Sequence, residues 1–349
     1  MTASTITNSR SDRPLVSVLL ATYNEARYIE DTVASILRQQ TPDFDLELLV
    51  MDGESNDGTA DIVAAIAARD PRVHLLVNEK RATPCAFNLG LRAARGEYVC
   101  IFGAHTWYKE DYISTCLREL ISQQAVACGG RVLTAPADES SQARLVAWAL
   151  AHPFGSSRKS FRTQQEGYVD IVNYPVVLKQ AVLDAGGYDE SLIRNEDNDM
   201  FQKLRARGHK LYCTWQTCCT YHPAPDLPSL VRYAFRNGFW NALSLKRNPS
   251  SMSPRYFVPA LFVVTLVVLV GLAVFNLISP GPKAFLALVA GALLLAAYAG
   301  AALIASCVVA ARDRCLAALL LPLVFFSFHC SYGAGTLCAL LTGAKPRTS

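Results

Sequence analysis

Two stretches near the end of this chain, Phe257 to Ile278 and Ala284 to Ala310, contain no acidic or basic residue. Each exceeds the roughly 20 apolar residues that cross a hydrocarbon core as a helix. A backbone in lipid must satisfy its own polar groups, so these runs are restricted to helix. A third uncharged run, Cys315 to Leu341, carries Pro322, His329, Ser331 and Tyr332 and is also expected to span. The chain before Phe257 must therefore fold outside the membrane and do any chemistry on polar substrates.

Charge supports this division. The net charge of +4 is modest and the basic residues form no stripe, so no nucleic-acid partner is expected. Lys246, Arg247 and Arg255 precede the first span, and Arg312 and Arg314 return to the same side after two crossings. Lys283, Lys345 and Arg347 fall on the other side. The bias places the amino-terminal part on the cytoplasmic face of a multi-pass protein of the inner (plasma) membrane. Residues 1–14 are polar and lack an apolar core, so no signal peptide is expected. The eleven cysteines are scattered, several within the apolar runs, and read as reduced thiols. Cys213, Cys218, Cys219 and His222 are four potential zinc ligands, but they lack the paired C-x-x-C spacing of structural sites.

The soluble part opens with an apolar run, Val16 to Leu20, then Ala21-Thr22-Tyr23-Asn24-Glu25. Tyr28 to Gln40 follows with helical periodicity, and a second apolar run, Leu46 to Met51, ends in Asp52-Gly53-Glu54-Ser55-Asn56-Asp57-Gly58-Thr59. This order predicts a βαβ unit whose polar residues sit at the carboxyl ends of the strands, where open α/β sheets bind ligands. Taken alone, Asn24, Asp52 and Asp57 are equally ordinary turn and cap residues. A helix after Asp61 stops before Pro71. A third strand, Val73 to Val77, a helix from about Pro84 and a fourth strand, Tyr98 to Phe102, continue the alternation of a mainly parallel sheet.

Beyond Gly103-Ala104-His105, the pattern predicts a helix from Asp111 to Gln124 and a strand from Ala127 to Leu133. A polar loop, Thr134 to Ser141, and a basic segment, Gly155 to Gly167, follow; the latter is either a loop over a site or a plain surface loop. A short strand is expected at Val169 to Asn173 and a turn at Ala185 to Asp189. Arg194 to Asp199 opens a helix that Gly208 ends. Acids at a helix start complement its dipole and cap its amides, which is the ordinary use of Glu196, Asp197 and Asp199. Leu227 to Arg247 is basic and amphipathic, as a helix at a membrane interface would be.

Val18 to Glu25, Asp52 to Thr59 and Asn195-Glu196-Asp197 resemble the motifs of family 2 inverting glycosyltransferases with the GT-A fold. Within that family the chain looks most like the succinoglycan-type exopolysaccharide glucosyltransferases, whose tail is similar to Tyr332-Gly333-Ala334-Gly335. The resemblance implies an α/β nucleotide-diphospho-sugar transferase fold followed by transmembrane helices. The expected domains are a polar tail (1–14), the transferase domain (15–226), an interfacial helix and linker (227–255), the membrane region (256–341) and a tail (342–349).

The resemblance also assigns roles. Asp197 would be the general base, with Glu196 orienting the acceptor. Thr22, Tyr23, Glu25, Asp52, Asp57, Arg81, Asn88 and Ala104 would hold the nucleotide of a UDP-hexose donor. Arg232, Arg236 and Trp240 would meet the lipid diphosphate of a saccharide acceptor. The family usually carries Asp-x-Asp after the fourth strand, where this chain has Gly103 and His105. The expectation is that His105 binds a divalent ion, manganese in preference to magnesium, because imidazole suits first-row transition ions and magnesium prefers oxygen. The processive synthases' Gln-x-x-Arg-Trp motif is absent, so transfer of single sugars is expected. The rival is a noncatalytic GT-A-like protein that binds a nucleotide sugar or scaffolds polysaccharide assembly, which the loss of a family carboxylate at Gly103 would suit.

Overall fold

A computed structural model describes residues 13–104, 106–251, 253–279 and 281–342. His105 and most of both tails lie outside the described residues. Strands β1 (Leu15–Thr22), β2 (Asp45–Asp52), β3 (Val73–Val77) and β4 (Tyr98–Gly103) alternate with α1 (Ile29–Leu37), α2 (Thr59–Ala67) and α3 (Thr83–Ala93). These four strands pair in parallel, in the order β3-β2-β1-β4, so all of their carboxyl ends reach one edge. Their sequences fit this place because they are buried on both faces: in β1, Val16, Val18 and Leu20 enter one core while Leu19 enters the other.

The sheet continues through β5 (Thr106–Tyr108), α4 (Tyr112–Ser122), β6 (Ala127–Thr134), α5 (Ser141–Ala151) and α6 (Pro153–Ser156). Then follow β7 (Gly167–Tyr168), β8 (Val176–Leu178), α7 (Lys179–Asp184), α8 (Glu196–Ala206) and β9 (Leu211–Tyr221). Strand β8 is antiparallel to β4 and β6, and β9 lies parallel to β6. The mainly parallel sheet flanked by helices matches the expected fold class.

One local expectation is corrected. Val169 to Asn173 is not a strand; the ladder is joined by Val176–Leu178 instead. Tyr174, at φ 51°, and Pro175 interrupt the chain between them, leaving Val172 buried in irregular backbone. The cysteine-rich segment is the eleven-residue strand β9, with Cys213 and Cys219 buried and Cys218 half-buried. Its alternation is interrupted by a register shift opposite Gly130 and Arg131, which hid it from a period-two reading.

Helices α9 (Leu227–Arg247), α10 (Val258–Ile278), α11 (Pro282–Asp313) and α12 (Leu321–Thr342) complete the chain. Segments Pro254–Ile278, Pro282–Asp313 and Leu316–Thr342 are long and apolar enough to cross a membrane. One hydrophobic cluster joins them to the rest: Leu145 and Leu150 of α5, Leu230 and Ala234 of α9, Ala302 and Val309 of α11, and Phe325 and Phe328 of α12. The apolar face of α9 is thus covered largely by protein.

Candidate active site

The edge at the carboxyl ends of β1 and β2, expected to hold a donor, is built by two loops that lock each other. Asn24, with φ 56°, accepts the Asn56 amide on its side-chain oxygen at 3.0 Å, and its own amide donates to Ser55 Oγ at 2.8 Å. Asp57 accepts from the Ala26 amide, the Thr59 amide and Thr59 Oγ1. Those bonds, the Thr59 hydroxyl first, hold its carboxyl below the usual range. Asp52 is buried and accepts from Ser55 N, Ser55 Oγ and Thr22 Oγ1. Asp52, Asp57 and Thr22 therefore fix the shape of the crevice, while Glu25 is tied in through its amide to Thr59 Oγ1.

What the crevice leaves open is Tyr23, 46% exposed, beside Gly53 and Arg81. A side chain on Gly53 would press on Tyr23 Cδ2 at 3.3 Å and the Arg81 Cα at 3.5 Å. Arg81 is held at φ 52° and pairs with Glu54, itself at φ 57°, at 2.9 Å. Residues other than glycine in this region are strained and recur at ligand sites.

Asn88 faces elsewhere. Its amide accepts from Tyr188 N and donates to Tyr188 O, both at 2.9 Å, clasping the turn that leads to α8. Gly187, at φ 69°, fits because a Cβ there would come 2.8 Å from Asn88 Oδ1.

At the end of β4, Ala104 is buried and its carbonyl accepts from Thr32 Oγ1 at 2.7 Å. A Cβ on Gly103 would lie 3.0 Å from Tyr174 Cε1. The tyrosine ring thus fills the space into which a family carboxylate would project. Among the described residues no group of three acidic, histidine or cysteine side chains is arranged for a metal. His105, the residue expected to hold a divalent ion, lies outside the described residues.

Glu196 and Asp197 begin α8, where Asn195 adopts φ 64°. Both line a cavity of about 870 Å³ that reaches from Thr83, at the start of α3, to Phe262 of α10, Tyr298 of α11 and Phe328 of α12. Burial, then the Asp197 charge, pushes the Glu196 carboxyl up to about 8, and burial raises Asp197 as well. Two such groups share their protons as a pair. Asp199 is engaged away from them, with Lys203 at 2.7 Å and Asn248 at 2.8 Å.

The cavity wall also carries Arg162, Arg194, Arg236 and Arg255. None has an ion-pair partner among the described residues. Arg194 donates to Asn237 Oδ1 at 3.0 Å, and Arg162 lies 4.2 Å over the Phe161 ring. Arg162 Nε and Arg255 NH1 are buried without a hydrogen-bond partner. Burial, then the like charge of Arg236, pushes Arg194 below its usual value. Buried guanidinium nitrogens without a hydrogen-bond partner are costly until an acceptor arrives.

Of the residues expected to meet the acceptor, Arg236 lines this cavity. Arg232 is exposed and donates to Ser229 Oγ, and Trp240 is buried within α9 packing. Sequence reasoning missed Arg162, Arg194, Tyr233, Asn237 and Asn241. The available signal was the spacing of Tyr233, Asn237, Asn241 and Ser244, a polar stripe along one face of α9.

Residues 17–182 match the model described as Glycosyl transferase family 2. The chain carries a glycosyl transferase family 2 domain. It is 22% identical over 340 residues, 94% of this chain and 98% of the relative, to a dolichyl N-acetyl-alpha-D-glucosaminyl phosphate 3-beta-D-2,3-diacetamido-2,3-dideoxy-beta-D-glucuronosyltransferase of Methanococcus voltae. It is 27% identical over 248 residues to the succinoglycan biosynthesis protein ExoA of Rhizobium meliloti (strain 1021), covering 69% of this chain and 73% of that one. A mannosyltransferase, PcManGT from Pyrobaculum calidifontis, solved with GDP-Man and Mn2+, superposes with TM-score 0.56 at 22% identity. The superposition covers 95% of this chain and 88% of that one and bears out the GT-A fold. The glycosyl transferase family 2 domain thus contains the donor edge and Thr83, whereas Glu196, Asp197 and the span side of the cavity lie beyond the matched residues.

Proposed function

We propose that the chain is a membrane-anchored inverting glycosyltransferase that moves single hexoses, glucose from UDP-glucose, onto a lipid-linked saccharide in exopolysaccharide biosynthesis. The observation that carries this reading is the cavity, which has two carboxylates at its head, four arginines on its wall and aromatic side chains of three apolar helices at its far end. A sugar carried on a lipid diphosphate has the matching sequence of hydroxyl, anion and hydrocarbon. The mannosyltransferase's GDP-Man and the glucuronosyltransferase's dolichyl phosphate acceptor are the corresponding chemistries in two similar proteins.

In this reading Tyr23 stacks on the base and Arg81 faces the donor diphosphate. Arg162, Arg194 and Arg236 draw in the acceptor's phosphates. Asp197 accepts the acceptor hydroxyl proton as that oxygen attacks the anomeric carbon and the bond to the diphosphate breaks. Glu196, protonated near neutrality, donates a hydrogen bond that orients the acceptor. Direct displacement turns an α-linked donor into a β product. A divalent ion, manganese favoured, would be held by His105 and offset charge on the departing diphosphate.

The chain lies in the inner membrane with three spans and its transferase domain in the cytoplasm. The 15–226 domain carries donor chemistry, and the 227–255 segment links it to the spans. Gly103, closed by Tyr174, favours the second reading, a protein that binds nucleotide sugar without transfer. The experiment is incubation of membranes containing the chain with a panel of nucleotide sugars and lipid-linked acceptors, product being scored by mass. Transfer from one donor is expected, with dependence on added manganese. Tight nucleotide binding with no product from any pair would leave the second reading.

A further inference from the structure

Helix α12 reaches the two carboxylates through a line of buried amides. Asn195, the residue ahead of Glu196, donates from Nδ2 to Asn241 Oδ1 at 2.7 Å and to Ser244 Oγ at 3.1 Å. Asn241 Nδ2 in turn donates to the Tyr332 hydroxyl on α12. Asn241, Ser244 and Tyr332 are all buried, so these bonds face little competition from bulk water.

The approach of α12 to α9 is set by glycine. A Cβ on Gly238 would overlap the Tyr332 carbonyl oxygen, and one on Gly335 would overlap the Phe235 carbonyl. Gly333 has the same relation to Pro259 of α10. Ser331 Oγ donates to Val231 O at 2.7 Å and Thr336 Oγ1 to Gly238 O at 3.2 Å, which fixes the register of the two helices. The run Tyr332-Gly333-Ala334-Gly335 therefore has a physical purpose: Gly335 lets α12 close on α9, Gly333 lets it close on α10, and the tyrosine makes the contact.

Asn195 needs that contact because it holds φ 64° at the exact start of α8, a conformation that asparagine adopts at some cost. Asn237, one turn before Asn241 on α9, meanwhile holds Arg194. The two asparagines grip the two residues that lead into Glu196. We infer that Tyr332, Asn241 and Asn195 form a positioning relay by which the last membrane span sets the orientation of the Glu196–Asp197 pair. The span is then part of the catalytic apparatus as well as its anchor. This inference rests on the reading that the pair stands at the chemistry.

The test uses the full chain in detergent with donor and lipid-linked acceptor, comparing Tyr332→Phe, Asn195→Gly and the double variant. Asn195→Gly keeps the left-handed backbone and deletes the amide, leaving α12 untouched. Each single variant is expected to lower kcat about tenfold, equivalent to about 1.4 kcal/mol of barrier, with donor KM and the unfolding midpoint near wild type. The double variant is expected to be no slower than the slower single, because both break one line of contacts. Multiplying effects, or wild-type kcat in Asn195→Gly, would overturn the relay. So would a Tyr332→Phe effect confined to acceptor KM, which would make the hydroxyl a simple substrate contact. Should Tyr332→Phe fail to fold, Asn241→Ala replaces it against Asn195→Gly under the same criterion. Asp197→Asn in the same assay separates the two levels: an active Asp197→Asn overturns the functional reading. An inactive one beside unaffected relay variants overturns the relay alone.

Discussion

The donor edge and the acceptor cavity are made in opposite ways. The donor edge joins two loops about one βα unit apart in sequence, and nearly every polar group in it is tied to the other loop, as Asn24 is to Ser55 and Asn56. The cavity draws on Thr83, Arg162, Glu196, Arg236, Tyr298 and Tyr332, and it leaves arginine nitrogens unpartnered. A self-satisfied site can exist without the rest of the chain. A site assembled from the sheet domain and three long apolar helices cannot.

The largest expected effect follows from that difference. A chain ended at Ser253 should retain nucleotide binding, because the donor-edge contacts named above all lie within residues 22–81. It should lose transfer to a lipid acceptor altogether, because Tyr256, Phe262, Tyr298 and Tyr332 form the far wall. Titration of nucleotide binding beside the transfer assay checks both halves, and loss of nucleotide binding in a folded truncated chain would break the comparison.

Next come the arginines. Hydrogen bonds to charged groups contribute about 1.5–3 kcal/mol, so Arg194→Gln and Arg236→Gln should each raise acceptor KM by about 10–100-fold with donor KM unchanged. An effect on donor KM alone would move the guanidinium groups to the donor side.

pH should separate the two regions more gently. Glu196 and Asp197 are raised by burial, so the base form is lost as pH falls through values above the ordinary carboxylate value of about 4. The acid limb of kcat should lie between there and about 8, the level to which Glu196 is pushed. Asp57 is shifted the other way and should keep the donor edge intact over that window. Donor affinity that collapses together with kcat would contradict the separation.

The smallest expected effect concerns Asn88, whose amide clasps Tyr188. Asn88→Ala should reduce stability by about 1–3 kcal/mol, the cost of leaving half-buried partners unsatisfied. Its effect on kcat should exceed that on donor affinity, as measured by thermal unfolding and nucleotide titration.

How far the sequence could be read follows the same division. The βαβ opening, the alternation of strands and helices, the three long apolar helices and the helix start at Glu196 were legible because each is a local pattern of polarity and period. Strand β9 was not, because its bulge breaks the period, and neither was β8, whose place after Tyr174 and Pro175 depends on the sheet. Asn88 read as a donor residue because its clasp partner lies 100 residues away. The basic segment with Arg162 read equally as a loop over a site and as a surface loop, and Arg194 read only as part of a helix start; their place in one cavity depends on the fold. Tyr332-Gly333-Ala334-Gly335 was visible as a motif, but its meaning required the helix it packs on.

The most direct measurement is the transfer rate of Asp197→Asn with donor binding measured on the same preparation. The substitution keeps the shape of the side chain and removes its basicity. Removing a positioned general base costs about 10²–10⁴ in rate, so kcat should fall by that factor while nucleotide affinity stays at the wild-type level. Wild-type turnover in Asp197→Asn would contradict the account, since the base would then be a group other than Asp197.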